Sequence, residues 1–558
     1  MTTVAKNLDD QITISIYLKR DLHENGMSLQ EYADGVIAGT HDILSHDEFV
    51  YQFGTTEDNL SKAVTWATSH GLTVLDACRG KSFITVIGAV GRFNTLLDIV
   101  IQEVTDNIRT YMYYPEDRII VPNDIADSIE RIAGFDQSFL AVRHLVEHDE
   151  TADPDIGSSY GSSPVTPVQM ATAYNLPTGD GYGGCIGIFE LSLDPAVTPN
   201  YNEGWQQPDV TASFSRIGLT APTITTINVG NAYFSPTSSG ESMLDIYCAG
   251  AVAPKAKIAY YIAPNNGTTS INNCILATAN DTTNNPSVLS ISWGIGDGTY
   301  YDSAFQACIA KGITCFVSSG DSGAVNLSMA ATVCSQYAVS CGGTNITLNG
   351  SNVITSEVGW GNSNGTGQGG GGGSGGASGG GQSSSITVPS WQSGLTYKTT
   401  TSGNSGGGSA TALAHRGVPD ISAPADPSTG YQFYYGGTSS SASPTLRTIG
   451  GTSASAPLIA GIWVRLNQLL GYRIPFRMDT WYSNSTLLFN DVATGNNRDG
   501  YTTGYVCTSG WDAVTGLGSP KADQIYQLFH TGSTFPKQNY GFRPTSGVGY
   551  PRRTTGAR

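Results

Sequence analysis

Three short stretches hold side chains able to attack a carbonyl or carry a proton. In Ile449-Gly450-Gly451-Thr452-Ser453-Ala454-Ser455-Ala456-Pro457, two glycines and a threonine lead into Ser453, and an apolar run follows to Leu470. Pro457 is tolerated only near a helix start, because it lacks an N–H and clashes further in. Ser453 therefore belongs at the mouth of a buried helix, where free N–H groups point outward. There it is either a helix cap or a nucleophile held at the positive end of the helix. In Ser239-Gly240-Glu241-Ser242-Met243-Leu244-Asp245, Glu241 and Asp245 stand at i and i+4 on one helical face. Exposed, they are a solvated acidic face. Buried together they repel, at least one pKa rises, and the pair can hold a proton for acid/base work below neutral pH. Val317-Ser318-Ser319-Gly320-Asp321-Ser322-Gly323 follows an apolar strand. Asp321 is either a turn residue or a carboxyl at the end of a parallel strand, where α/β active sites form.

Histidine placement narrows the chemistry. A Ser-His-Asp hydrolase needs an imidazole base. Of the eight histidines, His23, His41, His46, His70, His144 and His148 lie in residues 1–150, and only His415 and His530 lie beyond. Neither of those two has a motif around it. A base for Ser453 is then a carboxylate, which serves only with a raised pKa and in acid.

The elements that must position these groups fall into two regions. Residues 1–150 carry 11 Lys+Arg and 24 Asp+Glu; the rest of the 558-residue chain carries 17 and 21, for a net charge of −17. That balance argues against nucleic-acid binding. The first region shows an alternating strand at 12–20, a helix from Glu57 to His70 ending at Gly71, strands at 72–76 and 82–89, a helix at 93–98, strands near 99–103 and 111–114, and a helix over 124–134 capped by Asn123. This is a compact α+β unit. Residues 147–169 read as an exposed linker open to proteolysis. After Gly184, apolar runs at 185–190, 258–262, 288–293 and 313–317 alternate with helical stretches, as buried parallel strands do. The glycine tract 365–382 reads as a floppy insertion, and 531–558 as a disordered basic tail. Nine cysteines include no C-x-x-C pair; Cys185 and Cys315 read as buried thiols, and Cys334 and Cys341 are close enough to staple a loop. No signal peptide and no apolar run of membrane-spanning length is visible. Asn266, Asn280, Asn345 and Asn484 head sequons compatible with secretion.

Taken together and in this order, the three stretches resemble the sedolisins, the serine-carboxyl peptidases, from about residue 10 to residue 530. The resemblance implies an α/β subtilisin-like catalytic domain over 168–530, a parallel sheet flanked by helices, behind an N-terminal α+β propeptide domain at 1–148 and a processing linker at 149–167. It implies Ser453 as nucleophile, Glu241 as its base, Asp245 orienting Glu241 and sharing its proton, and protonated Asp321 donating to the oxyanion. Glu190 and Trp293 match positions that extend the carboxylate network. Phe489–Asn496 and Gly510–Pro520 resemble the family's calcium site, with carboxylates from Asp491 and Asp512 and carbonyls from Val492, Thr508 and Gly510 holding one Ca2+.

The expected protein is an acid endopeptidase acting on polypeptides through an acyl-enzyme on Ser453. It is made as a proenzyme whose propeptide assists folding and blocks the cleft until self-cleavage between about Asp149 and Pro167. It works as a monomer, without nucleic acid or membrane, outside the cell or in an acidic compartment. A tripeptidyl aminopeptidase of the same family and an inactive binding homologue are the alternatives, and a neutral subtilisin is disfavoured by the missing histidine.

Overall fold

The structure is a computed structural model that describes residues 1–20, 26–147, 164–193, 195, 202–324, 335–361, 376–401, 407–436, 445–499 and 503–531. Its centre is an eight-stranded sheet. From one edge the strands run Ile224–Asn228, Lys257–Pro264, Cys185–Ser192, Val288–Ile291, Thr314–Ser318, Val339–Leu348 and Ile354–Gly359, with Ile421–Pro424 also pairing to Val339–Leu348. All pairs are parallel except that of Val339–Leu348 with Ile354–Gly359. The strand Cys185–Ser192 is buried along its whole length, as expected of a parallel strand covered on both faces. Chain order reverses beside it: the next strands lie on one side and the later ones on the other. Such a switch point opens a crevice at the carboxyl ends of the strands. Glu190, Ser292 and Asp321 all come from those ends.

Two buried helices complete the frame. Gly240–Val252 starts at Ser239, whose hydroxyl caps Ser242 N. Thr452–Leu470 packs across it and ends on Gly471 in the left-handed conformation. Its cap is Gly451 and it has no side-chain cap bond, so Ser453 does not cap the helix and its hydroxyl is free for other work. Pro457 lies inside this helix, further in than the sequence suggested. Its missing N–H leaves the Ser453 carbonyl without the usual helical donor, and Ser292 Oγ lies 3.3 Å from that oxygen.

The N-terminal region has its own core, built on a four-stranded antiparallel sheet ordered Thr73–Cys78, Phe83–Ala89, Gln11–Leu18 and Ile129–Ala133. The helix expected over 124–134 is instead a turn followed by the strand Ile129–Ala133. Ile129, Ile132 and Ala133 are buried, and β-branched residues fit a pleated, half-buried surface well. This unit docks on the larger domain: Tyr17 Oη donates to Asn273 Oδ1 at 2.6 Å, and Asn273 Nδ2 donates to Ser15 Oγ at 2.7 Å.

The glycine tract also departs from expectation. Residues 362–375 lie outside the described residues, but 376–382 are not floppy. Gly379 N donates to Gly320 O at 2.6 Å and Ala377 N to Asp321 O at 2.9 Å. A Cβ at Gly379 would strike Ser319 O, so glycine here permits close backbone approach behind the Asp321 loop. The expected cleavage stretch is described only from residue 164 on, and the basic tail only at Thr531. Cys341 is free and buried; Cys334 lies outside the described residues.

Candidate active site

Ser453, Glu241, Asp245, Asp321, Glu190 and Trp293 converge at the carboxyl end of the sheet, and all but Asp321 are essentially without solvent exposure. Ser453 Oγ donates to Ser292 O at 3.1 Å. Both Glu241 oxygens are buried with no hydrogen-bond partner, although the Ser453 hydroxyl is near enough to favour the carboxylate form. The Ser453 hydroxyl is thus bonded to Ser292 O and not to Glu241. Burial first, and then the charge of Asp245, hold the Glu241 carboxyl far above the usual range. Asp245 accepts from Ser292 Oγ at 2.7 and 2.9 Å rather than bonding Glu241, and burial raises it as well. Glu190 Oε2 accepts from Trp293 Nε1 at 2.9 Å; burial, then Asp245, raise this carboxyl.

Asp321 is tied to the helix mouth. Its Oδ1 accepts from Thr452 N and Thr452 Oγ1, both at 2.8 Å, while Oδ2 is buried and unpartnered. Burial pushes its carboxyl up to about 7. Gly451, at φ +106°, sits where any side chain would collide with Asp321 Oδ2 and the His144 carbonyl oxygen. Glycine here serves both the backbone conformation and an open approach to that carbonyl.

Residues 141–147 of the N-terminal region run through the site. Val142–Arg143 pairs antiparallel with Trp293–Gly294, and Val146–Glu147 pairs antiparallel with Ile449–Gly450. Between them, His144 N donates to Ser292 O at 3.3 Å and its carbonyl accepts from Ser453 N at 3.1 Å. The His144 ring is buried, with Nδ1 2.7 Å from Ser318 Oγ, and burial pushes the imidazole down to about 4. Sequence reasoning missed His144, Ser292 and Thr452 as parts of this site. Ser292 stands one residue before a matched tryptophan, which is a usable signal; nothing in the spacing marks His144.

The residues matched to the calcium site also converge. Asp491 accepts from Ser509 Oγ at 2.9 Å and from Gly510 N at 3.1 and 3.2 Å. Asp512 accepts from Thr508 N at 3.0 Å and from Val514 N and Thr515 N at 2.9 Å. Thr515 Oγ1 lies 3.4 Å from Val492 O. Two carboxylates and three carbonyls would give a hard-oxygen set of the kind Ca2+ takes. No group of three or more His, Cys, Asp or Glu able to hold a metal occurs among the described residues.

Residues 5–138 match the pro-kumamolisin activation domain, and residues 226–506 match the subtilase family. The chain is 30% identical over 544 residues to kumamolisin of Bacillus sp. (strain MN-32), covering 93% of this chain and 92% of that protein. It belongs to the sedolisin family of serine-carboxyl peptidases. Sedolisin of Pseudomonas sp. (strain 101) is 26% identical over 515 residues, 86% of this chain and 80% of that one. The structure of Pseudomonas sedolisin complexed with two molecules of pseudo-iodotyrostatin superposes with a TM-score of 0.54 at 24% identity, over 66% of this chain and 99% of that chain. The fold is therefore a subtilisin-like α/β domain behind a pro-domain, and the chain is a serine-carboxyl peptidase in which residues 141–147, just after the matched pro-domain, run through the site.

Proposed function

We propose that the chain is an acid-active endopeptidase whose first substrate is its own His144–Leu145 bond. The observation that carries this reading is the His144 carbonyl, which accepts from Ser453 N at 3.1 Å between two flanking strand pairings. In acid the Glu241–Asp245 pair holds one shared proton, and with that proton on Asp245 Glu241 is the carboxylate. Ser453 Oγ rotates from Ser292 O to Glu241, gives up its proton to that carboxylate and bonds the His144 carbonyl carbon. The oxyanion is held by Ser453 N–H and by protonated Asp321. Collapse breaks the C–N bond as Glu241 returns the proton to the Leu145 nitrogen. Water then attacks the His144 ester as Glu241 takes its proton; the bond between the carbonyl carbon and Ser453 Oγ breaks, and Glu241 returns the proton to that oxygen as the His144 acid leaves. His144 is P1 and Arg143 P2 in this scheme. The cut lies upstream of the stretch expected from sequence, whose residues would be trimmed later. An extracellular or acidic compartment suits such chemistry. Among the described residues no helix is long and apolar enough to cross a membrane.

An endopeptidase is favoured over a tripeptidyl peptidase by the residue before Val142. Ala141 N donates to Asn265 Oδ1 and Ala141 O accepts from Asn265 Nδ2, both at 2.9 Å. A fourth residue on the acyl side is thus bound in the uncleaved chain, which supports a cleft open at that end. A digest of N-acetylated peptides at about pH 3, 5 and 7 tests this, since protonated Asp321 is needed. Internal cuts are expected at the two lower values, and release of tripeptides from free N-termini alone would contradict it. As pH rises through about 7, Asp321 ionises and stops donating, so turnover should fall. Asp321→Ala should lower kcat by about 10²–10³-fold, whereas Asp321→Asn, which keeps a donor, should flatten the alkaline limb.

Calcium is the ion the Asp491, Val492, Thr508, Gly510 and Asp512 oxygens would take, tying two loops of the catalytic domain together. Chelation should lower the melting temperature by about 3–4 °C, since a ligand at ~100 Kd contributes about 2.7 kcal/mol. Calorimetry with and without chelator measures this, and an unchanged transition would remove the metal from the account.

A further inference from the structure

Arg143 reaches out of the cleft-bound segment to a carboxylate that the catalytic chemistry leaves unused. Its Nη1 donates to Glu203 Oε1 at 2.9 Å, with the arginine side chain 30% exposed and the glutamate fully buried. Glu203 is held rigidly. Its N donates to Ser192 Oγ at 2.9 Å and its carbonyl accepts from Ser235 N at 2.7 Å. Its Oε2 accepts from Ser242 Oγ at 3.0 Å and from Ser239 Oγ. Ser242 Oγ is itself 2.7 Å from Tyr260 Oη. One oxygen is therefore anchored to the start of the Glu241 helix, and the other faces the cleft at the position Arg143 fills.

Once the segment leaves, that second oxygen loses its cation. A buried carboxyl without its partner is costly, so the site favours a replacement of the same kind. The guanidinium also feels Glu241 and Glu190, so an acidic or apolar residue there forfeits several interactions at once. Arginine suits the place better than a point charge, because its planar fork matches a fixed carboxylate.

We propose that Glu203 is the specificity-determining residue of the subsite beside the scissile residue, selecting polypeptides with arginine at P2. This rests on the peptidase reading above and on residues 141–147 lying as a substrate lies.

The test uses the mature enzyme and two peptides that differ only at P2, arginine against its uncharged isostere citrulline. Wild type should favour arginine by about 10- to 100-fold in kcat/KM, the range for a hydrogen bond to a charged group. Glu203→Gln should shrink that ratio to within about threefold. The ratio is the right readout, because Glu203 also touches the helix of Glu241 and any damage to catalysis affects both peptides. A ratio near one in wild type overturns the inference while leaving the peptidase reading intact; hydrolysis of neither peptide overturns both. If Glu203→Gln does not fold, Arg143→Gln in the proenzyme serves instead. It should slow the appearance of the Leu145 N-terminus by a comparable factor, and an unchanged rate overturns the inference.

Discussion

Ser453→Ala is expected to leave the full-length chain uncut in acid and to lower peptide hydrolysis by about 10⁴–10⁶-fold, the scale on which removing a nucleophile acts in hydrolases of this kind. The side chain is fully buried and its hydroxyl makes one bond, to Ser292 O. Its loss opens space for less than one methylene, so folding should survive. A melting temperature close to wild type, measured together with the rate, separates a chemical defect from a structural one. Retained hydrolysis with a cut between 141 and 147 would show that another group attacks.

Glu241→Gln is expected to fall within about tenfold of the Ser453→Ala rate, because the two groups act as one unit. An amide has nearly the shape of the carboxyl but cannot accept the proton. Both Glu241 oxygens are buried and unpartnered, so no existing hydrogen bond is lost by the change. The carboxyl is raised by burial first and then by Asp245, which makes its carboxylate form a stronger base for a serine hydroxyl. Stopped-time hydrolysis of one peptide by wild type and Glu241→Gln, with circular dichroism to check folding, measures the effect. Activity within tenfold of wild type would mean that another base serves Ser453.

Much of this site was legible because its groups hang on strong local patterns. Gly450-Gly451-Thr452-Ser453 before an apolar run marks a helix mouth, and the helix does begin at Thr452. The i,i+4 spacing of Glu241 and Asp245 follows from helix geometry alone, and burial of both is what the apolar residues around them imply. Asp321 follows a strand with every residue buried, Thr314–Ser318, and strand ends of that kind are where crevices open.

What was not legible depends on chain segments meeting across long separations. Residues 124–134 have helical spacing, yet Ile129–Ala133 pairs with Gln11–Leu18, and tertiary pairing overrides local periodicity. The glycines at 376–381 carry no side-chain signal, because their role is to let two backbones touch. His144 looked like one more residue of an acidic N-terminal region. It lies in the crevice because strands at 293–294 and 449–450 capture its neighbours, and no spacing rule encodes that. The same capture brought Arg143 to Glu203, a glutamate without a motif.

The most direct measurement is the position of the first cut. Purified proenzyme is brought to acid, sampled over time, and analysed by intact mass and N-terminal sequencing, beside Ser453→Ala handled alone. The earliest wild-type product should begin at Leu145, with a partner fragment ending at His144, and the variant should show neither. A first cut elsewhere, or the same cut in the variant at an equal rate, would contradict the placement of His144 against Ser453 as that of a substrate.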